Sequence, residues 1–345
     1  MRSRTESTGY RVAPVLTLIF LAPLIASVLP GAMRLSAMFA FPIAMGIWGC
    51  GAVLIRAAVR HWRLGWLNLL FLALALSIAE ECIIHQTSLA PLIWQPPGEH
   101  IARVWGVNYL YFLWALGHEV VFAVFVPIAL TELIFKADRE QPWLGKWSAV
   151  VLATIFLLIC LMAWYSWTKI ARPMVFHVPI YNPPFIAIAV AAAAILLLIS
   201  AAIGPFRYVF PIGPKPLLPA STWLLGLGAF VVSGIWHGLV LLSFGFRPSF
   251  PPLFAVGVGI VLVISVLWLL PRYAAHANWR DQHTLSIVIG VMTGMMALSF
   301  VAFIYGSLKL DLYGKIILNL AAMIFLIYQA VRLRRAAGLE ITAPS

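Results

Sequence analysis

The chain has 345 residues, of which 63% are apolar and 10% are charged, and its mean hydropathy is +0.99. This composition excludes a soluble globular protein. The formal net charge of +12 is explained by basic residues at helix ends, which meet anionic lipid headgroups, so the expected partner is a lipid bilayer and not a nucleic acid.

Apolar runs of about 20 residues recur along the chain, separated by Pro, Gly and charge, which is typical of a polytopic membrane protein. Because backbone polar groups must be satisfied inside the bilayer, each run should be a helix, and the predicted fold class is all-α, a transmembrane helix bundle. The pattern predicts about ten spans, at 13–32, 37–59, 65–85, 105–135, 147–168, 184–204, 221–245, 252–270, 285–306 and 312–331. Residues 1–345 are predicted to form a single integral membrane domain.

The orientation of these spans follows from the distribution of Lys and Arg between the connections. With the N-terminus inside, the cytoplasmic segments collect most basic residues, beginning with Arg2, Arg4 and Arg11. An even number of spans then predicts that both termini are cytoplasmic. We therefore expect a multi-pass protein of a bacterial cytoplasmic, or inner, membrane.

Several ionisable residues interrupt the apolar runs. Glu80 and Glu81 lie in LFLALALSIAEECII, His118 and Glu119 in FLWALGHEVVFAVFV, and His237 in FVVSGIWHGLVLL. Such groups cost several kcal/mol in hydrocarbon, so they usually face a protein-lined interior and mark a functional site. Essentially no Lys or Arg is expected inside the runs, which leaves protons, a metal ion or histidines as partners of the carboxylates.

Depth along the helices suggests that these residues share one level. At about 1.5 Å per residue, Glu81, His118 and His237 all fall in the outer third of the membrane. Glu81 and His85 are four residues apart and should share a helix face. Glu80 should point about 100° away from Glu81, so that each such pair contributes one member to a cavity.

This set has the donor types to bind a divalent metal such as zinc, or to relay protons. The candidate catalytic residues are Glu80, Glu81, His118, Glu119 and His237, and the candidate metal ligands are His85, His118 and His237. Alternatively, a single histidine between helices only packs and forms a hydrogen bond. Glu132, near the inner end of its span, is predicted to be an interfacial carboxylate close to Arg56 or Lys136.

Residues 49–88 and 106–146 carry a group of short motifs. They combine a Gly-Ala-x-x-x-Arg start, a Gly-Trp pair, the intramembrane Glu-Glu, and a later His followed by Val-Pro-x-x-Leu-x-Glu. In these features the chain resembles a family of uncharacterised bacterial polytopic membrane proteins. The resemblance covers the second to fourth spans and implies the location of a site, without an activity.

A second pattern consists of Glu80-Glu81-x-x-x-His85, then Trp114-x-x-x-His118, then His237. In order and spacing it resembles the CAAX-protease and bacteriocin-processing intramembrane metalloendopeptidases. Their pattern has Arg where this chain has His85, Phe where it has Trp114, and Asn or His four residues after the last histidine. The resemblance implies that Glu80 or Glu81 is a general base, and that His118 and His237 bind metal or polarise a carbonyl. The string SGIWHG is also similar to the His helix of membrane-bound O-acyltransferases.

Two functions fit this pattern, and a third interpretation assigns it none. The first is a metal-dependent intramembrane hydrolase, acting on a peptide or lipid-linked substrate at an outward-facing site. The second is a proton-coupled transporter, in which Glu81 and Glu119 change protonation during alternating access. In the third, the chain is a structural or accessory subunit whose buried polar residues only hold helices together.

Overall fold

A computed structural model describes residues 11–94, 102–204, 215–246, 251–304 and 308–342. Within these residues almost all regular structure is helical, and ten helices are apolar. They are α1 (Val12–Val28), α2 (Leu35–His61), α3 (Trp66–Ile84), α4 (Tyr109–Ile134), α5 (Lys146–Val175), α6 (Phe185–Ile203), α7 (Thr222–Phe244), α8 (Pro252–Ala274), α9 (Asp281–Ile304) and α10 (Lys309–Thr342).

In the described part of the chain, nine helices, α2 to α10, are long and apolar enough to cross a membrane. This supports the prediction of an all-α, multi-pass membrane protein. The first predicted span, 13–32, is shorter than expected, because its helix ends at Val28, just before Pro30. The end of the predicted span 285–306 lies outside the described residues.

The core of the bundle is formed by α1, α2 and α4, whose buried side chains belong to one apolar cluster. Leu18 of α1, Ile47 of α2 and Val124 of α4 are almost fully enclosed in it. In contrast, α5, α6 and α8 bury few of their residues and leave many large apolar side chains exposed. These three helices therefore present the surface that a bilayer would cover.

Small residues bring α7 and α9 into backbone contact. A Cβ atom added to Gly290 of α9 would lie 2.2 Å from the carbonyl oxygen of Gly226 of α7, and one added to Gly294 would lie 2.6 Å from the oxygen of Phe230. The Ser233 hydroxyl also donates to the Val291 oxygen at 2.8 Å. Close approach of small residues is the usual way in which membrane helices associate tightly.

Before α4, a short hairpin closes one end of the bundle. Its strands are β1 (Arg103–Val104) and β2 (Val107–Asn108), which pair antiparallel. The two turn residues, Trp105 and Gly106, both have positive φ, as a type I′ turn requires. Asn108 then caps α4, because its side-chain oxygen accepts from the Tyr111 N–H at 3.0 Å.

The expectation that Lys and Arg stay out of the apolar helices is wrong at three buried positions. Arg56 of α2 has 2% of its surface exposed, Arg172 of α5 has 1% and Lys315 of α10 has 4%. Each donates to backbone carbonyls, as buried charges require. Arg172 donates to the Pro91 carbonyl at 2.9 Å, and Lys315 donates to the Leu29 carbonyl at 2.7 Å and to the Ser299 hydroxyl at 2.8 Å.

Arg56 also explains the environment of Glu132. Its Nε donates to the Glu132 carboxylate at 2.9 Å, and Arg60 donates to the same oxygen at 2.9 Å. The Arg56 guanidinium stacks 3.2 Å above the ring centroid of Trp143. The predicted contact between Glu132 and Arg56 is thus confirmed, and this carboxylate belongs to a charge network at the end of the bundle that is remote from Glu80.

Candidate functional site

The end of α3 is a π-turn, and this decides which glutamate meets His85. Residues Glu80–Ile84 follow the π pattern, in which the His85 N–H donates to the Glu80 carbonyl, five residues earlier, at 2.9 Å. The side chains of residues five apart therefore lie together, and His85 Nδ1 is 2.5 Å from Glu80 Oε1. The expectation that Glu81 and His85 pair four residues apart is wrong for this reason.

Glu81 contacts the segment that follows the π-turn instead. Its Oε2 accepts a hydrogen bond from the Ser88 hydroxyl at 2.6 Å. Ser88 is itself fixed, because its carbonyl accepts from the Asn108 N–H at 2.9 Å. Since Asn108 caps α4, the loop after α3 and the start of α4 are joined beside the Glu81 carboxylate.

Three carboxyl groups meet between α3 and α4. Glu80, Glu81 and Glu119 each offer an oxygen, and these oxygens lie within 4.8 Å of one another. All three residues are buried, with 3–6% of their surface exposed. In the part of the chain that the structure describes, this glutamate cluster is the one group of at least three potential metal-ligating side chains that lie so close together. The expectation that only one member of the Glu80–Glu81 pair enters the site is therefore wrong.

The glutamate cluster has fewer partners than its charge requires. Oε2 of Glu80 and Oε2 of Glu119 are buried and have no hydrogen-bond partner among the described residues. Within the same residues, the ion pair between His85 and Glu80 is the one that the cluster makes. Three carboxylates so close together in a low-dielectric interior cannot all be ionised without further positive charge. The cluster therefore has to take up protons or a cation.

His118 and His237 form a second polar centre, between α4 and α7. His118 Nδ1 lies 3.2 Å from His237 Nε2, and both residues are 7% exposed. His118 Nε2 contacts the carbonyl oxygen of Ala26 at 2.9 Å. The end of α1, Leu24–Val28, follows the π pattern, in which the Ala26 carbonyl would accept from the Gly31 N–H. That N–H donates to the Val28 carbonyl at 2.9 Å instead, so the imidazole supplies the missing hydrogen.

These contacts determine where the hydrogens of the histidine pair lie. His237 Nδ1 is 2.8 Å from the Ser233 carbonyl, so it must carry a hydrogen, as must His118 Nε2 opposite Ala26. A neutral imidazole has only one N–H, which leaves two lone pairs facing each other across the 3.2 Å contact. A shared proton, or another cation, removes this repulsion.

The residues next to the histidines bring the two helices close enough for this contact. Gly117 precedes His118, and a Cβ atom added there would lie 2.2 Å from the ring of Trp236, which precedes His237. The Trp236 indole donates to the Trp114 carbonyl at 3.1 Å. Glycine at position 117 is thus required for the indole to lie against α4.

Aromatic rings enclose the histidine pair. Trp114 and Phe122 stand one turn before and after His118, with ring centroids 5.2 and 5.0 Å from it. The same two rings lie 6.0 and 5.5 Å from His237. These rings separate the two imidazoles from water and from lipid.

The predicted site residues are therefore found in two groups, one of glutamates with His85 and one of two histidines. The chain links them at the consecutive residues His118 and Glu119. The sequence does not identify Ser88, Ser233 or the Ala26 carbonyl as site groups, because hydroxyl and backbone groups carry no signal in an apolar run. Pro30 is the one available sign of an unsatisfied carbonyl, since proline has no N–H to donate. The catalytic and metal-binding roles of these residues stay predictions.

Comparisons of this chain with protein-family models, with curated proteins and with solved structures find no match.

Proposed function

We propose that this chain is a proton-coupled transporter of the bacterial cytoplasmic membrane, a single membrane domain with both termini in the cytoplasm. The observation that carries the proposal is the glutamate cluster, in which oxygens of three buried carboxyl groups lie within 4.8 Å of one another. Intramembrane carboxyl groups are the usual proton carriers of pumps and transporters.

The electrostatics of the cluster explain how it could exchange protons. While the site is closed, repulsion between the carboxylates and the lack of water favour protonated carboxyl groups. When a conformational change admits water, the charged forms are solvated and protons leave. Alternating access of such a site to the two sides of the membrane couples proton movement to that of a substrate.

His85 offers a route between the cluster and the surface of the bundle. Its imidazole contacts Glu80 at 2.5 Å, yet its side chain is 24% exposed. An imidazole can accept a proton at one nitrogen and release one from the other. In the proposed function His85 therefore transfers protons between Glu80 and the exterior.

Infrared spectroscopy of the purified protein at neutral pH tests the protonation of the cluster directly. A protonated carboxyl group has a C=O stretching band that a carboxylate lacks, and we expect this band to weaken in Glu119→Gln. The matched control is Glu140→Gln, because the Glu140 side chain is 72% exposed and pairs with Arg60 near Glu132. A wild-type protein without the band, or a band unchanged by Glu119→Gln, would contradict the proposal.

Proton flux is measured separately in liposomes that contain a pH-sensitive dye and are driven by a potassium diffusion potential. We expect the wild-type protein to acidify the lumen, and the double variant Glu81→Gln/Glu119→Gln to match empty liposomes. The Glu140→Gln control should transport like the wild type. Equal flux in wild type and double variant would exclude the cluster as the proton carrier.

A second candidate function, a metal-dependent hydrolase acting on a peptide or lipid-linked substrate, is favoured by the histidine pair. Metal-binding imidazoles usually donate their other N–H to a carbonyl or carboxylate, as His118 and His237 both do. Two nitrogens bound to tetrahedral zinc at about 2.0–2.1 Å would lie about 3.3 Å apart. The observed separation of 3.2 Å fits this distance.

The donor count is less favourable to zinc at this position. Catalytic zinc sites use three protein ligands, and only two nitrogens meet here. Among the described residues, no carboxylate or thiol completes a group of three with His118 and His237 within 4.8 Å. Metal analysis after dialysis against zinc tests whether the histidine pair binds zinc. The hydrolase requires about one zinc per chain, and this zinc should be lost in His237→Gln. The control variant His61→Gln changes an exposed histidine and should retain the zinc. A metal-free wild-type protein would exclude this candidate.

A further inference from the structure

An open-sided cavity of about 250 Å³ lies between α9 and α10, away from the glutamates and histidines. Its walls are almost entirely apolar and come in equal parts from the two helices. They include Thr293, Met296 and Phe300 of α9, and Asn319, Leu320 and Met323 of α10. Its volume is about eight times the roughly 30 Å³ that one water molecule occupies in the liquid.

Asn319 is the exception in this lining. It is 5% exposed, and neither its amide nitrogen nor its amide oxygen has a hydrogen-bond partner among the described residues. An unsatisfied buried amide is costly in any protein and more so where water is absent. Asn319 follows the start of α10 at Lys309 by ten residues, about 15 Å, which is close to the middle of a membrane core of about 30 Å.

The neighbouring polar side chains do not satisfy this amide. The Thr293 hydroxyl donates to carbonyls of its own helix, at 2.7 Å to Ile289 and 3.0 Å to Gly290. Lys315, one turn before Asn319, donates to the Leu29 carbonyl and the Ser299 hydroxyl. An amide that could donate and accept is therefore left facing an apolar cavity.

We propose that this cavity binds a membrane-soluble amphiphile, a hydrocarbon chain with a neutral head group that both donates and accepts a hydrogen bond, such as an alcohol. The hydrocarbon chain of this ligand occupies the space lined by Met296, Phe300 and Met323. Its head group forms the hydrogen bonds that the Asn319 amide lacks. Water does not fill the site, because water in a cavity needs two to four polar partners and apolar cavities stay dry.

A second copy of this chain is a less suitable partner for Asn319. The residues that flank it on α10 project further, since Leu320 is 58% exposed and Ile316 is 37% exposed. A helix approaching from outside would meet these two side chains first and leave the amide out of reach. The hydrocarbon chain of an amphiphile is narrow enough to enter the cavity, so its head group can reach the Asn319 amide.

The test uses the full-length protein in lipid nanodiscs and a decanol probe that carries a photoreactive diazirine. Irradiation followed by peptide mass spectrometry should place the label on the segments 293–300 and 316–323. Unlabelled 1-decanol should compete with the probe, and decane should compete on the order of tenfold more weakly, because it lacks the head group. Asn319→Leu should reduce labelling by a similar factor.

Thr154→Val is the matched control, because it removes a hydroxyl that bonds only within α5. It should leave the labelling unchanged. Melting temperatures show that each variant is folded, and Asn319→Leu without probe should melt no lower than the wild type, since it removes an unsatisfied amide. Absent labelling, labelling unaffected by Asn319→Leu, equal competition by decane, or an Asn319-dependent dimer in place of labelling would each overturn the proposal.

Discussion

Glu80 and His85 are paired across five residues, with Oε1 and Nδ1 2.5 Å apart, because α3 ends in a π-turn. Glu81, which an α-helix would place opposite His85, faces Ser88 instead. A single inserted residue in the helical turn thus assigns different partners to two consecutive glutamates.

A double-mutant cycle measures this assignment. We expect Glu80→Gln and His85→Gln to be coupled by about 1.5–3 kcal/mol in the free energy of unfolding, as for a hydrogen bond to a charged group. The cycle of Glu81→Gln with His85→Gln should give a clearly smaller coupling. Thermal or denaturant unfolding in detergent provides both values, and a larger coupling for Glu81 would show that α3 ends as an ordinary α-helix.

Gly117→Ala should separate α4 from α7. The new methyl group would lie 2.2 Å from the Trp236 ring, so the indole and the adjacent His237 must move, at a cost of about 1–3 kcal/mol. Gly238→Ala in α7 is the control, because nothing lies within 4 Å of a Cβ atom at that position. We expect a lower melting temperature for the first variant only; equal melting temperatures would show that the indole does not pack there.

Pro30 should determine how much His118 contributes to stability. In the wild type, His118→Leu leaves the Ala26 carbonyl without a donor, which should cost about 1–3 kcal/mol. In a Pro30→Ala background, residue 30 gains an N–H and the end of α1 can take the α pattern, in which residue 30 donates to the carbonyl of residue 26. The same substitution should then be less destabilising. Unfolding of the four proteins gives the difference, and an equal loss in both backgrounds would disprove the link.

The two arginines that bind Glu132 should differ strongly in importance. Arg56 is 2% exposed, stacks on Trp143 and donates to two backbone carbonyls, so Arg56→Met should cost about 3–5 kcal/mol. The Arg60 side chain is 27% exposed, and Arg60→Met should cost about 1 kcal/mol or less. If both variants unfold at the same denaturant concentration, the buried network does not stabilise the protein.

The sequence predicts the helices well because hydropathy determines which segments cross a membrane, and each predicted span corresponds to an apolar helix. It predicts partners less well. Depth places His118 and His237 at one level but leaves the rotation of each helix unknown, so their contact could not be foreseen. The π-turn at Glu80 has no sequence signature. The burial of Arg56 and Lys315 within helices cannot be predicted, because the groups that accept their hydrogens belong to distant segments.

The backbone contact between α7 and α9 has a mechanical consequence for the histidine pair. Gly290 and Gly294 leave no slack against α7, and Ser233 is held by the Val291 carbonyl while its own carbonyl holds His237. A displacement of α9 along its axis is therefore transmitted to the His237 ring, whereas His118 stays attached to α1 through Ala26. Such a movement would therefore change the distance between the His118 and His237 rings.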